Sequence, residues 1–290
     1  LKAMEQLQTL NPHKDRASDA QILFMVINSS AVTLIPITIL MYRSELGAAN
    51  PSAVFMPILF ATSLSTLAGF LAVAVVQRLN VFNRVVMAYL GGFILFIGVV
   101  AFYFCSLPET ERLSVSANCG NFLLFAVIVT FIGAGVLKKL NVYETFVSGA
   151  KEGFEIAVRI IPYLVAMLVA IAVFRASGAL DFLVDGFAAV FGWLGIDTGF
   201  VAALPTALLK PLSGSGARAM MIETMTTYGA DSFPAFVSAV VQGSTETTFY
   251  VLAVYFGAVK ITKVGAALPC ALFADFVGIA SAICFSYLFY

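Results

Sequence analysis

Long apolar runs, separated by short polar turns, make up most of the chain. Four of them continue without interruption for about the roughly 20 residues that a helix needs to cross a bilayer. These runs lie at 52–76, 84–105, 119–137 and 264–288. The pattern therefore predicts four uninterrupted transmembrane helices.

Three further apolar stretches are interrupted by residues that stop a helix. The stretch 20–42 contains "NSS" and a proline, 199–228 contains "KPLSGSG", and 233–259 contains "QGSTETT". Irregular backbone is tolerated at membrane depth only where protein or a water-filled cavity surrounds it. Each stretch is therefore predicted to form two half-helices joined by non-helical backbone inside the protein.

One segment mixes charged and apolar residues. Residues 141–160 place Lys151, Glu152, Glu155 and Arg159 among apolar residues at helical spacing. A helix with one charged face and one apolar face is typical of the membrane–water interface. We therefore expect an amphipathic helix that lies along the membrane surface.

The composition indicates the class of protein. Of the 290 residues, 61% are hydrophobic and only 11% are charged, a balance far from that of soluble domains. The chain is thus predicted to be an all-α polytopic membrane protein whose first partner is the lipid bilayer. Its formal net charge of +0 provides no electrostatic basis for binding nucleic acid.

Basic residues in short loops predict the orientation of the helices, because such loops stay on the cytoplasmic side. The loop 106–118 contains Glu109 and Glu111 and is expected on the opposite side. Cys105 and Cys119 bracket this loop and form either a disulfide or two separate thiols. The residues expected on the cytoplasmic side are Arg78, Arg84, Lys138, Lys139, Lys260 and Lys263.

The chain also contains an internal repeat. Residues 47–79 align with 229–261 without a gap, so that "TSLST" meets "STETT" and Arg78 meets Lys260. Both copies end in basic residues, and we therefore expect them to share one orientation, related by an axis near the membrane normal. In this arrangement the runs "NSSA", "ATSLST", "SGSG" and "QGSTETT" are expected to converge near the midplane.

The "SGSG" run is a candidate binding element because it has the composition of a half-helix start. The first N–H groups of a helix have no partner within it and the dipole there is positive, so polar or anionic oxygen atoms bind. Ser213 or Ser215 would cap this half-helix, and Gly214 and Gly216 would allow close approach of backbone or ligand. The alternative is that the run serves only capping and tight helix packing.

The "QGSTETT" run begins a second half-helix and supplies Glu246, a carboxylate able to bind a cation or a proton. We expect Glu246 to form a buried charged cluster with Lys210 or Arg218, or else a purely structural ion pair. The first copy has Leu64 at the matching position, which makes the site asymmetric. Asp275 is expected near a membrane interface rather than at the centre. The predicted solute-binding residues are Asn28, Ser29, Ser30, Thr62, Ser63, Lys210, Ser213, Gly214, Ser215, Gly216, Arg218, Gln242, Ser244, Thr245, Glu246 and Thr247.

Several stretches resemble a known family. "LNPHKDRASDAQILFMVINSSAVTLIPITI" and "GAANPSAVF" are similar to the C-terminal part of spore maturation A proteins. "LLKPLSGSGARAMM" and "TYGADSFPAFVSAVVQGSTETTFYVLAVYFGAVKIT" are similar to spore maturation B proteins. The resemblance implies a fusion of two Gate, or nucleoside recognition, domains, 1–137 and 138–290, without the leading helices of the A part. It also implies a multi-pass protein of the bacterial cytoplasmic membrane.

Three classes of function compete. A transporter or channel-like carrier of a small polar solute, nucleoside-like or ionic, accounts for the helix breaks, the repeat and the buried charges together. The alternative is a non-transporting structural or partner-binding membrane subunit. An enzyme is not expected, because the sequence lacks catalytic and nucleotide-binding motifs and His13 is the sole histidine. We expect no cofactor and no metal, and a homo-oligomer as the assembly.

Overall fold

The computed structural model describes the backbone of all 290 residues and every side chain except those of residues 156, 159, 160, 163 and 164. Arg159 of the expected amphipathic helix therefore lies outside the described side chains. Along the described chain the structure is helical, without a β-strand. Helices α1 to α13, in chain order, are Lys2–Leu10, Asp19–Ser29, Ile37–Glu45, Phe55–Val76, Arg84–Ser106, Glu109–Leu137, Val142–Ala176, Ala179–Trp193, Leu204–Leu209, Gly214–Tyr228, Phe233–Ser244, Thr248–Ala258 and Ala267–Phe289.

Four of the described helical segments are long and apolar enough to cross a membrane, and they correspond to the four predicted spans. A fifth span results if the second half of α7 and α8, which meet at 67°, act as one bent segment. The chain is therefore a multi-pass membrane protein. The four segments are Pro51–Val76, Arg84–Ser106, Glu109–Leu137 and Ala267–Phe289.

The acidic loop expected before the third span is much shorter than predicted, since α6 already begins at Glu109. Pro108 is the N-cap residue, and Glu109 and Glu111 lie in the first turn, where the positive end of the helix dipole stabilises carboxylates. The polar residues of this stretch thus begin a helix instead of forming a loop. Cys105 and Cys119, the residues that bracket it, are free thiols.

The three interrupted stretches are split as predicted. Helices α2 and α3 are separated by residues 30–36, α9 and α10 by 210–213, and α11 and α12 by 245–247. At two of these breaks the backbone is extended, at Ser213 and at Thr245. The helices on either side are apolar, whereas the breaks contain the glycine, proline, serine and threonine residues that favour non-helical backbone.

The expected amphipathic helix at 141–160 is not a separate element. It forms the first half of α7, a continuous helix of 35 residues and thus about 52 Å long. Asn141 caps it by accepting a hydrogen bond from Glu144 N at 3.2 Å. Pro162 lies inside the helix without ending it. The predicted end at residue 160 was wrong, because the charged residues end there but the helix continues to Ala176.

Helices α4 and α13 pack along their length and form the centre of the structure. Ser65 Oγ on α4 donates to the carbonyl oxygen of Ala274 on α13 at 2.9 Å, which requires the two backbones to lie close together. Small residues at helix contacts are typical of membrane proteins. The buried face of α13 contains the small residues Ala267, Ala271, Ala274, Gly278 and Ala282.

The turns that begin the two aligned copies lie side by side. Gly47 and Gly229 occupy matching positions and both have left-handed backbone, with φ of +83° and +90°. Arg43, only 2% exposed, donates from Nη1 to Ala230 O and from Nε to Pro51 O, both at 3.1 Å. It therefore joins the turn of one copy to that of the other. The copies differ because α4 is continuous where the second copy is split into α11 and α12.

Arg78 and Glu111 lie at opposite ends of α13. Arg112, next to Glu111, donates from Nη1 to Leu288 O at 2.9 Å, at the C-terminal end of that helix. Arg78 lines a surface pocket together with Ala266, at the N-terminal end. The predicted separation of these basic and acidic residues is therefore present in the structure.

Candidate functional site

The break between α11 and α12 contacts the breaks in both other interrupted stretches. The backbone N–H of Glu246 donates to Ser29 O at 2.9 Å, at the end of α2. The N–H of Phe249, in the first turn of α12, donates to Pro211 O at 3.1 Å, in the break before α10. Backbone groups released at one break thus find their partners at another, as irregular backbone within a membrane requires.

The "ATSLST" run of α4 joins the same region. Thr62 Oγ1 accepts a hydrogen bond from Thr33 N at 3.3 Å, and Thr33 Oγ1 donates to Gly243 O at 3.5 Å. Thr66 Oγ1 donates to Ser30 O. The four polar runs therefore converge, as the alignment of the two copies predicted.

Glycine residues make this convergence possible because no side chain would fit at their positions. A Cβ atom on Gly214 would lie 2.6 Å from Thr247 Oγ1, and one on Gly278 would lie 2.6 Å from Thr245 Cγ2. A Cβ atom on Gly243 would meet three carbon atoms of Ile58 at 2.8 to 2.9 Å. The break at 245–247 is therefore in contact with α10 and α13.

A polar cavity of about 360 Å³ opens beside the convergence. Residues 35–39 of the first interrupted stretch form one wall, and the charged side chains of Lys210, Arg218 and Glu246 line it together with Gln242. Two cations and one carboxylate give this lining a formal charge of +1. The cavity therefore presents amide, ammonium and guanidinium donors next to one anionic acceptor.

The three residues of the predicted buried charged cluster line one cavity, but they are not all buried. Lys210 is buried, with 4% of its surface exposed, and Arg218 is half-buried, but Glu246 is exposed. Among the described side chains, these three form no ion pair within 4.0 Å. Glu246 is exposed because it lies in the non-helical break and lines the cavity.

The polar residues predicted in the first copy do not line the cavity. Their side chains bond to carbonyl groups one turn earlier in their own helices, at 2.7 to 3.0 Å. Such back-bonding satisfies a hydroxyl or amide donor locally and leaves it unavailable to a ligand. These residues are Asn28, Ser29, Ser30, Thr62 and Ser63.

The "SGSG" run has the predicted cap. Ser213 Oγ accepts from Gly216 N at 3.1 Å, and α10 begins at Gly214. Ser215 is exposed, and its hydroxyl lies 3.3 Å from that of Ser213. None of these residues lines the cavity, but Gly214 lies against Thr247 of the neighbouring break.

In the "QGSTETT" run the predicted residues divide into two groups. Gln242 and Thr245 line the cavity with Glu246, and Gln242 Oε1 has no hydrogen-bond partner among the described side chains. Ser244 Oγ donates to Val241 O at 2.8 Å and so is satisfied within α11. The end of α11 therefore contributes both structural and unpaired polar groups.

The expectation for Asp275 was wrong. Its side chain lies in the middle of α13 rather than near an interface, is 2% exposed, and lies beside the hydroxyl groups of Thr245 and Thr248. The sequence could have indicated this, because Asp275 lies near the centre of the predicted span 264–288. Thr33 and Thr38 were also missed; both line the cavity beside Pro36, in the first interrupted stretch.

A separate charged group lies away from the cavity. Arg175 at the end of α7 pairs with Glu223 of α10 and, at 3.8 Å, with Asp181 of α8. Glu223 thus pairs with another segment and not with Arg218 of its own helix. The ion pair holds α10 against α7 and has no access to the cavity lining described above.

The chain is similar to known proteins. The family described as "Gate: Nucleoside recognition" matches residues 157–262. Spore maturation protein B of Bacillus subtilis (strain 168) is 50% identical over 167 residues, which are 56% of this chain and 92% of that protein. Spore maturation protein A of the same organism is 37% identical over 65 residues, 22% of this chain and 33% of that protein. No solved structure matches the chain.

Proposed function

This chain belongs to the family of spore maturation protein B, and from that premise we propose that it is a transporter or channel-like carrier of a small polar solute. The solute passes through the polar cavity at the convergence of the helix breaks. It is nucleoside-like or ionic, in keeping with the description of the matching family. The bacterial cytoplasmic membrane is the proposed location.

The cavity is the observation that carries this proposal. Its volume of about 360 Å³ lies within the range of small-molecule sites, roughly 300–1,000 Å³. Lys210, Arg218 and Gln242 supply N–H donors, and Glu246 supplies an acceptor. These groups suit a solute rich in acceptor oxygen atoms, such as the carbonyl and hydroxyl groups of a nucleoside or the oxygen atoms of a small anion.

A parallel two-fold repeat completes the proposed architecture. In two of the aligned pairs both residues have a positive φ angle. These pairs are Gly47 with Gly229 and Arg78 with Lys260. The side-by-side packing of the two initial turns through Arg43 supports a common orientation of the copies. Carriers built from repeats bind their substrates where broken helices meet near the midplane.

A structural or partner-binding membrane subunit is the second candidate function. The observation that favours it is the tight packing of the breaks, in which glycine positions leave no space for a Cβ atom and hydroxyl groups bond to their own helices. Such packing is suited to rigidity, whereas a carrier must open and close around its solute.

Uptake into proteoliposomes tests the choice between the two. Purified full-length chain would be reconstituted, and the entry of tritiated uridine and of radiolabelled orthophosphate would be compared with entry into protein-free vesicles of the same lipids. The carrier function predicts saturable, protein-dependent uptake of at least one probe. If a folded, correctly inserted protein admits neither probe above the protein-free rate, the carrier proposal is contradicted and the structural subunit is favoured.

A further inference from the structure

Two arginine residues without an ion-pair partner line one pocket at the basic end of the protein. This pocket has a volume of about 570 Å³ and lies between the loop that joins α1 to α2, the end of α4 and the start of α13. Arg16 and Arg78 line it, and among the described side chains neither has a carboxylate within 4.0 Å. Lys263 at the same end, by contrast, is paired with Asp15 at 2.8 Å. The two arginine residues are therefore available to an anion.

Hydrogen bonds between distant segments hold this pocket together. Ala17 N, next to Arg16, donates to Lys263 O at 3.0 Å, which ties the loop to the segment before α13. Gln77 Nε2, next to Arg78, donates to Asp19 O at 2.9 Å, which ties the end of α4 to the start of α2. The backbone around both arginine residues is thus fixed without a ligand, and a site arranged in advance costs less to occupy.

The charges of the pocket favour one singly charged anion. Arg16 and Arg78 contribute two positive charges and Asp19 contributes one negative charge, so the lining has a formal charge of +1. Asp19 lies in the first turn of α2, where the helix dipole stabilises its carboxylate. His13 also lines the pocket and adds a ring N–H donor. Guanidinium groups bind phosphate oxygen atoms through charge-assisted hydrogen bonds, so this lining suits a phosphate diester.

The pocket lies where two membrane spans end. Val76 lines the pocket and is the last residue of the span Pro51–Val76. Ala266 also lines it and directly precedes the span Ala267–Phe289. The polar headgroups of a bilayer lie at this level, just outside the hydrocarbon region. Basic pockets between transmembrane helices bind the headgroups of anionic lipids in this way.

An apolar groove continues from the pocket along the same two helices. It has a volume of about 600 Å³, and Val76 lines both the groove and the pocket. On α4 the groove extends back to Ala68, eight residues or about 12 Å along the helix, and on α13 it extends to Phe273. An acyl chain suits such a surface, whereas a free anion makes no use of it. The other residues that line the groove are Leu71, Ala72, Val75, Pro269 and Cys270.

We infer that the pocket and the groove together bind one anionic phospholipid. Its headgroup phosphate accepts hydrogen bonds from Arg16 and Arg78, and one acyl chain lies in the groove between α4 and α13. A free phosphate would use the pocket alone, and a zwitterionic lipid would bring a cation to a lining that is already positive. The inference goes beyond the proposed carrier function and does not depend on it, because a lipid can bind at this end whether or not a solute passes the polar cavity.

Thermal stability in the presence of defined lipids tests the inference. Purified full-length chain in dodecyl maltoside would be titrated with phosphatidylglycerol, with phosphatidylcholine of the same acyl chains, and with sodium phosphate, all at constant ionic strength. We expect phosphatidylglycerol to raise the Tm by about 3 °C in a saturable manner. Phosphatidylcholine and inorganic phosphate at the same concentrations should each raise it by less than about 1 °C.

Substitution of the two arginine residues locates the site. Arg16→Gln and Arg78→Gln should each increase the half-saturating phosphatidylglycerol concentration roughly fivefold, the factor that one basic residue contributes beside anionic lipid. Both side chains are exposed, so these variants should fold like the unaltered chain. Arg84→Gln is the matched control, because Arg84 is an exposed arginine at the start of α5 and lies outside the pocket lining. It should respond to phosphatidylglycerol like the unaltered chain.

Three outcomes would overturn the inference. The first is equal stabilisation by phosphatidylglycerol and phosphatidylcholine, which would mean that the positive lining selects no headgroup. The second is stabilisation by inorganic phosphate as large as that by phosphatidylglycerol, which would mean an anion site that makes no use of the groove. The third is a phosphatidylglycerol titration that stays unchanged in both Arg16→Gln and Arg78→Gln, or that shifts equally in Arg84→Gln.

Discussion

Replacing Gly278 with alanine should force α13 away from the polar break. A Cβ atom at this position would lie 2.6 Å from Thr245 Cγ2 and 3.0 Å from both Cβ and Oγ of Ser65. These neighbours belong to two other elements, so at least one element must move. Overpacking of this kind in a close-packed interior typically costs about 1–3 kcal/mol.

Gly98→Ala in α5 is the matched control, because nothing lies within 4 Å of a Cβ atom there. Alanine favours the helix over glycine by about 0.5–1 kcal/mol in both variants, and this gain cancels in the comparison. The free energy of unfolding should therefore be lower for Gly278→Ala than for Gly98→Ala by about 1–3 kcal/mol.

Thermal denaturation of both variants in detergent, followed by helical circular dichroism, measures this difference. Gly278→Ala should have a Tm several degrees below that of Gly98→Ala. Equal Tm values, or a higher one for Gly278→Ala, would refute the close contact between α13, α4 and the break on which the described site rests.

Further substitutions test other contacts by the same assay. Arg43→Met leaves two carbonyl groups without their donor and should cost about 1–3 kcal/mol for each. Asp231→Asn, at a carboxylate that is itself half-exposed, should cost less than about 1 kcal/mol, and equal losses would contradict this. Ser116→Ala removes a buried hydroxyl that bridges two backbone groups at the start of α4 and should cost about 1–3 kcal/mol. Thr130→Ala, an exposed hydroxyl on α6, is its control and should leave the Tm nearly unchanged.

The helix breaks could be predicted because their causes are local. Glycine, proline and clustered hydroxyl residues within an apolar run disfavour a helix wherever they occur. The runs "KPLSGSG" and "QGSTETT" therefore predicted the breaks before α10 and after α11. The cap at Ser213 followed from the same reasoning. Convergence of the breaks could also be predicted, because backbone groups released in hydrocarbon must pair with one another.

The features that the sequence did not reveal depend on tertiary packing. A polar stretch can begin a helix as well as form a loop, and α6 begins at Glu109 because its first-turn carboxylates favour the dipole. Which way Asp275 points is decided by the packing of α13 on α4 and on the break. The exposure of Glu246 arises from the cavity, which no single segment encodes.

The uptake rate of Glu246→Gln tests the central claim most directly. Glutamine keeps the shape of Glu246 but removes its charge, and loss of a charge-assisted hydrogen bond of about 1.5–3 kcal/mol corresponds to a roughly ten- to hundredfold lower rate. Glu246 is exposed to the cavity and forms no ion pair among the described side chains. The Tm of Glu246→Gln should therefore stay within about 1 °C of that of Glu152→Gln, an exposed carboxylate on α7 outside the cavity lining that serves as the control. The account predicts lost uptake of the transported probe at unchanged Tm. Uptake at the unaltered rate, or a chain that simply unfolds, would contradict it.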